Sequence, residues 1–180
     1  MNKLKAVRLS DLKTQARLLF KDFNSPVLSV ASAAAKRFEA VPELRHLPGK
    51  EKTSGPGSIK LKHAYRVLAS ELGFKSWDKL KEAVVHNDCL YRQSGIAYVH
   101  KWFKPPDLLI AEQYLSHYGG YLLRFWDDII ICGKEYISCL HLEQYEKEWA
   151  LIGYNWVRPL DSAAYSFLKK QAILNYHSIN

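Results

Sequence analysis

The sequence predicts an α+β protein in two parts. A basic helical module of about four helices occupies residues 1–86. A small aromatic-rich α+β domain, with a β-hairpin and a C-terminal helix, occupies residues 96–180. Three observations carry this. Residues 58–85, SIKLKHAYRVLASELGFKSWDKLKEAVV, read as helix, tight turn, helix. Residues 121–132 hold two short apolar runs around Asp127-Asp128, directly after Gly119-Gly120. The charge also breaks in the middle. Residues 1–86 hold 17 Lys/Arg and 8 Asp/Glu, a net +9, whereas residues 87–180 hold 9 and 10, a net −1.

Taken in order, residues 7–23 form an amphipathic helix. Leu9, Leu12, Ala16, Leu19 and Phe23 make its apolar stripe, while Lys13, Arg17 and Lys21 stand at i, i+4 and i+8 on an exposed face. Ser25-Pro26 reads as an N-cap with proline at the first helical position. The next helix, 27–40, is alanine-rich, and Ala31, Ala34 and Ala35 permit close helix packing before Pro42 ends it. Residues 46–57, HLPGKEKTSGPG, are a loop by composition and carry Lys50 and Lys52. The loop is not a phosphate-binding P-loop, because the Gly-Lys-Ser/Thr ending and a preceding strand are both missing.

Ser58 is a candidate N-cap for the third helix. Leu61, Ala64, Tyr65, Leu68 and Leu72 recur at helical spacing. Gly73 ends this helix, since it takes positive φ without a Cβ penalty. Ser76 caps a fourth helix with Trp77, Leu80 and Val84 inward, and Trp77 is expected to plug the corner. Ala69 and Gly73 stand four apart, as in DNA-reading helix-turn-helix motifs. However, Lys79 occupies the position where such motifs place an inward apolar residue, and Leu80 follows one residue late. Asp78, Lys79 and Glu82 make a mixed outer face. The pattern is helix-turn-helix-like and reads best as a packed corner.

LASELGFKSWDKLK, together with the upstream DLKTQARLLFKDF and AAAKRFEAVPEL, resembles a short helical module of bacterial proteins found in front of glyoxalase-like and ankyrin-like domains. The resemblance covers residues 9–85, and its most specific element is the Gly73-Phe74…Ser76-Trp77 corner. It implies a helical fold and no established activity. The second half shows no repeated strand-rich units with the His and Glu ligands of a glyoxalase.

Residues 86–95 read as the junction. Residues 96–103 can be a strand, and Pro105-Pro106-Asp107 breaks it and starts a helix through Leu108, Ala111, Tyr114, Leu115 and Tyr118. A hairpin follows, with strands 121–126 and 129–132 and Asp127-Asp128 as its two-residue turn. Short helices are expected over 134–142 and 144–151, and a last helix from Asp161 to about 174. The tryptophans Trp102, Trp126, Trp149 and Trp156 lie in this half, as core for a small domain or as a binding platform. Arg158 is expected to reach Asp127 or Asp128.

Catalytic and metal motifs are absent. The seven histidines form no HExxH or HxH pattern, and Cys139 and His141 have no paired ligands nearby. Asp127-Asp128 with His100 or His117 would be the candidate magnesium site, and Cys89 or Cys132 with a distant histidine the candidate nucleophile pair. Neither has the spacing of a known motif, so no catalytic residue, metal or cofactor is assigned.

The chain has 48% hydrophobic residues and 13% aromatic ones, enough for a packed core and unlike a disordered composition. No secretory signal and no apolar run of the roughly 20 residues that span a membrane is present. Three cysteines without CxxC spacing fit reduced thiols and a cytoplasmic location. The expected function is that of a non-enzymatic binding or adaptor protein whose basic half contacts nucleic acid or an acidic protein. The expected contact residues are Lys13, Arg17, Lys21, Lys60, Lys62, Arg66, Lys75 and Lys79. The alternatives are an enzyme or effector using the C-terminal domain, and a partner-inhibiting protein of antitoxin or immunity type.

Overall fold

The computed structural model describes residues 4–45 and 58–179. The loop read over 46–57, with Lys50 and Lys52, lies outside them. The chain divides into two compact units, Met1–Val84 and Val85–Asn180, and the division falls inside a helix.

The first unit is helical: α1 (Leu9–Phe23), α2 (Leu28–Glu39), a 3-10 turn (Pro42–Leu44), α3 (Leu61–Glu71) and the first residues of α4 (Trp77–Asp88). The α1 stripe Leu9, Leu12, Ala16, Leu19 and Phe23 is buried in full, as its spacing requires. Its Ala16 joins Ala34 of α2 and Ala64 of α3 in one core, where the small side chains let the helices approach closely. Phe23 and Phe38 close that core edge-to-face, with ring centroids 5.1 Å apart. Asp11 in the first turn of α1 and Lys21 in the last complement the helix dipole.

Two helix starts differ from the sequence reading. Ser25 Oγ accepts the Val27 N–H, and α2 begins at Leu28, so Pro26 precedes the helix rather than opening it. α3 begins at Leu61 instead of directly after Ser58. There the Lys60 N–H donates to His63 Nδ1 at 3.0 Å, a back-bond that only the helical turn itself creates. The corner is as expected. Gly73 has φ +82°, and the Phe74 N–H donates to the Ala69 carbonyl, closing a Schellman turn. Ser76 Oγ accepts the Lys79 N–H and caps α4. Leu72 falls off the apolar stripe and is 41% exposed. Trp77 is half-buried, stacked on Tyr65 at 4.4 Å, and is not the fully enclosed plug expected.

The second unit is α+β. After the end of α4 come a 3-10 segment (Gln93–Tyr98), β1 (Val99–Phe103), a 3-10 turn (Pro105–Asp107), α5 (Leu108–Tyr118), β2 (Tyr121–Phe125), β3 (Asp128–Cys132), α6 (Lys134–Cys139), α7 (Glu146–Leu151) and α8 (Ser162–Ile179). The strands form one antiparallel sheet in the order β1-β3-β2. The central strand carries Ile129, Ile130, Ile131 and Cys132, all buried, because both faces of the sheet are covered. One face packs Leu122, Ile129 and Ile131 with Phe103 against Ala111 of α5. By alternation Tyr121, Leu123, Phe125 and Ile130 point the other way, where Tyr121 meets Trp149 edge-on at 5.1 Å. Asp161 caps α8 through Oδ1 and the Ala164 N–H at 2.7 Å.

The hairpin turn lies one residue earlier than the acidic pair suggested. Phe125 pairs with Asp128, so Trp126-Asp127 is the turn, and Trp126 takes φ +55°. Its indole is buried and its backbone N–H donates to the Asn87 carbonyl, a tertiary hold that overrides the preference for Asp at such positions. Asp128 instead starts β3 and pairs with Lys104 at 2.7 Å. Arg158 reaches Glu112 at 3.1 Å and neither Asp127 nor Asp128. Residues 86–95 carry Asp88, Cys89, Leu90, Arg92 and Gly95, all buried within the second unit.

Candidate functional site

The eight basic residues singled out in the sequence all lie in the first unit, and the structure sorts them. Arg17 and Lys21 are exposed one turn apart on α1, with half-buried Lys13 one turn before them. Lys60 and Lys62 are exposed at the start of α3, and Lys75 is exposed in the corner before α4. Arg66 is half-buried and pairs with Glu43 at 2.8 Å; Lys79 pairs with Glu82 at 2.8 Å. Both bridges are solvent-exposed, the kind that contributes about 0–1 kcal/mol and yields readily to a competing anion. Arg17, Lys21, Lys60, Lys62 and Lys75 have no ion pair among the described residues.

The start of α3 is positively charged. A helix N-terminus favours carboxylates, yet no acidic residue stands in this first turn and Lys60 provides no side-chain cap. Lys60 and Lys62 add two charges to the positive end of the dipole. His63 feels the result: its imidazole is held below its ordinary pKa by burial first, then by Lys62, Lys60 and Arg66. A phosphate or carboxylate placed here would meet Lys60 and Lys62 at the positive end of the helix dipole. The Ser58 cap read from the sequence already places both lysines near the start of this helix; the structure moves that start to Leu61, with Lys60 at the cap position.

A groove of about 520 Å³ in the same unit runs beside the end of α3, lined by Leu4, Val7, Leu12, Leu68 and Leu72. It is mainly apolar and accounts for the exposure of Leu72.

The second unit holds a cleft of about 550 Å³ at the end of α5, beside Gly119, Gly120, Gly153 and Tyr154, all at positive φ. Sequence reasoning missed it, since its parts lie up to about 40 residues apart. Two glutamates stand in it, the type of pair that general acid–base chemistry uses. Both are engaged. Glu146 accepts from Tyr121 Oη at 3.0 Å and Tyr154 Oη at 2.8 Å. Glu112 accepts from Asn155 Nδ2 at 3.2 Å and Arg158 Nη1 at 3.1 Å. Burial and the Glu146 carboxylate push the Tyr121 phenol well above its ordinary pKa. The arrangement ties α5, α7 and the 153–158 segment together and leaves neither carboxylate with both oxygens open.

The two candidate nucleophile cysteines are buried. Burial pushes the Cys89 thiol up to about 11 and raises Cys132 further still, so both remain protonated, unreactive thiols at neutral pH. Among the described residues, no group of three or more His, Cys, Asp or Glu side chains is placed to hold a metal ion, and no helix is long and apolar enough to cross a membrane. No family model, curated protein or solved structure matches this chain.

Proposed function

We propose that this is a non-enzymatic binding protein whose N-terminal half takes a polyanion, nucleic acid first, through phosphate contacts. One observation carries the reading: Arg17, Lys21, Lys60, Lys62 and Lys75 are exposed without an ion pair among the described residues, in a half of the chain with net charge +9. Such cations gain by displacing counterions from a phosphate backbone. Base reading is not favoured, because Asp78 and Glu82 share the exposed surface of α4 with Lys79, which is already paired to Glu82. Recognition is therefore weakly sequence-dependent.

The test is fluorescence anisotropy of the full chain with a labelled duplex and a labelled single strand across a salt series. Binding should weaken with a log–log slope of about 0.9 per phosphate contacted on duplex. Reversing the exposed Arg17 and Lys21 to glutamate should weaken it strongly with an unchanged circular dichroism spectrum. Absence of wild-type binding at low salt overturns the nucleic-acid reading, and the basic half is then a solubility surface or a docking face for an acidic protein.

A further inference from the structure

The second unit contains a buried arginine with one side of its guanidinium unused. Arg92 is 5% exposed. Its Nη1 donates to the Tyr91 carbonyl at 2.8 Å, but Nε and Nη2 are buried and have no hydrogen-bond partner among the described residues. Nε and Nη2 together form the edge with which arginine grips a carboxylate or phosphate in a fork. The same protein uses that edge elsewhere: Arg37 donates from Nε and Nη2 to the two oxygens of Glu71, each at 2.8 Å.

The groups around Arg92 do not fill this edge. The guanidinium lies over the Tyr176 ring at 5.4 Å, which engages its face. The nearby Asp88 has its oxygens committed elsewhere, Oδ1 to Trp126 Nε1 at 2.8 Å and Oδ2 to Tyr176 Oη at 3.0 Å. Tyr136 Oη accepts the Arg92 backbone N–H and donates to the Leu90 carbonyl. The Cys89 thiol stays protonated. Lys169, on α8, has its Nζ 3.2 Å from His86 Nε2 and over the Tyr165 ring at 5.6 Å. Tyr165, Lys169 and Tyr176 share one face of α8, at i, i+4 and i+11.

We propose that the Nε/Nη2 edge of Arg92 is a binding site for a small oxyanion, a phosphate or a carboxylate. Its two donors match two oxygens on one centre. The site is separate from the basic face of the first unit and needs no nucleic acid.

The test is thermal denaturation of the full chain titrated with sodium phosphate or sodium acetate, each against sodium chloride at matched ionic strength. A saturable rise in Tm beyond that in chloride is expected. Phosphate acting alone would identify a phosphate-type ligand, and acetate acting equally well a carboxylate-type one. Arg92→Lys, which keeps the charge and loses the fork, should remove the rise. The Arg92 Nε–H NMR signal of the wild type should shift with the same midpoint, which retains a test if the Arg92 variant fails to fold. The R17E/K21E variant should keep the full rise, which separates this site from the basic face. No saturable rise in the wild type, or a rise that leaves the Arg92 signal unmoved or is unchanged by Arg92→Lys, overturns the proposal: the edge then holds only water.

Discussion

Trp126 donates its indole N–H to Asp88 Oδ1 at 2.8 Å, joining the tip of the β2–β3 hairpin to the last residue of α4 across 38 positions of sequence. Both side chains are buried, Asp88 to 1% exposure. The bond explains why a tryptophan occupies a left-handed turn position. It also explains how a carboxylate is tolerated in the interior, since Tyr176 Oη satisfies the other oxygen. Trp126→Phe keeps most of the ring and deletes the donor. Stability should fall by about 1–3 kcal/mol, the cost of stranding a buried acceptor, measured by urea denaturation. A loss below about 0.5 kcal/mol would mean that this bond does not support Asp88.

Two glycines at positive φ should respond differently to alanine. Gly73 has φ +82° and open space where a Cβ would stand, so Gly73→Ala should cost about 1 kcal/mol from backbone strain alone. Gly120 has φ +101°, and a Cβ there would meet the Cys132 carbonyl at 2.8 Å. Gly120→Ala should therefore cost clearly more, about 2–4 kcal/mol, because the strand must shift as well. Equal losses in chemical denaturation would show that the sheet edge yields freely.

The half-buried stacking of Trp77 on Tyr65 places Trp77→Ala below the loss of an enclosed aromatic. A cost of about 2 kcal/mol is expected, against about 3–5 for full burial. Tyr65→Ala should recover part of that cost in the double variant, since one ring contact is lost only once. Additive losses would show that the two rings are not coupled.

His63 reports on the proposed polyanion site. Its folded pKa lies below its unfolded value, so the stability it contributes is present above about pH 6.5 and is lost as the pH falls through the folded pKa. Phosphates settling on Lys60 and Lys62 would cancel part of the field that depresses it. The imidazole NMR titration of His63 should therefore move to higher pH when a saturating oligonucleotide is added. An unmoved titration in a complex that demonstrably forms would take the start of α3 out of the interface.

Burial of Cys89 gives a second pH signature. Its thiol deprotonates near 9 in the unfolded chain and near 11 in the folded one, so the folded state holds the extra proton between these values. Stability from this group is intact below about pH 9 and falls as the pH rises toward 11, by roughly 2–3 kcal/mol at about 1.4 kcal/mol per unit. Cys89→Ala should flatten that part of the stability–pH curve. Thiol reagents at pH 8 should label Cys89 and Cys132 only at the rate of unfolding, whereas half-buried Cys139 reacts sooner.

Much of the architecture was legible in the residues themselves. The stripe Leu9, Leu12, Ala16, Leu19 and Phe23 permits only a helix with that face inward. Gly73 and Ser76 are end and cap by their own chemistry, and Gly119-Gly120 before two apolar runs marks a hairpin. These are local rules, in which the deciding groups lie within a few residues of each other. The basic character of residues 1–86 is likewise a property of composition. What only the tertiary structure decided involves partners far apart in the chain. Trp126, and not Asp127, opens the turn because Asp88 and Asn87 hold it. Arg158 chose Glu112 because the 153–158 segment runs beside α5. Arg66 was equal to Lys60 and Lys62 in sequence, and only the placement of Glu43 distinguishes it. The unused edge of Arg92 left no trace in sequence at all, because a missing hydrogen bond is defined by everything packed around it.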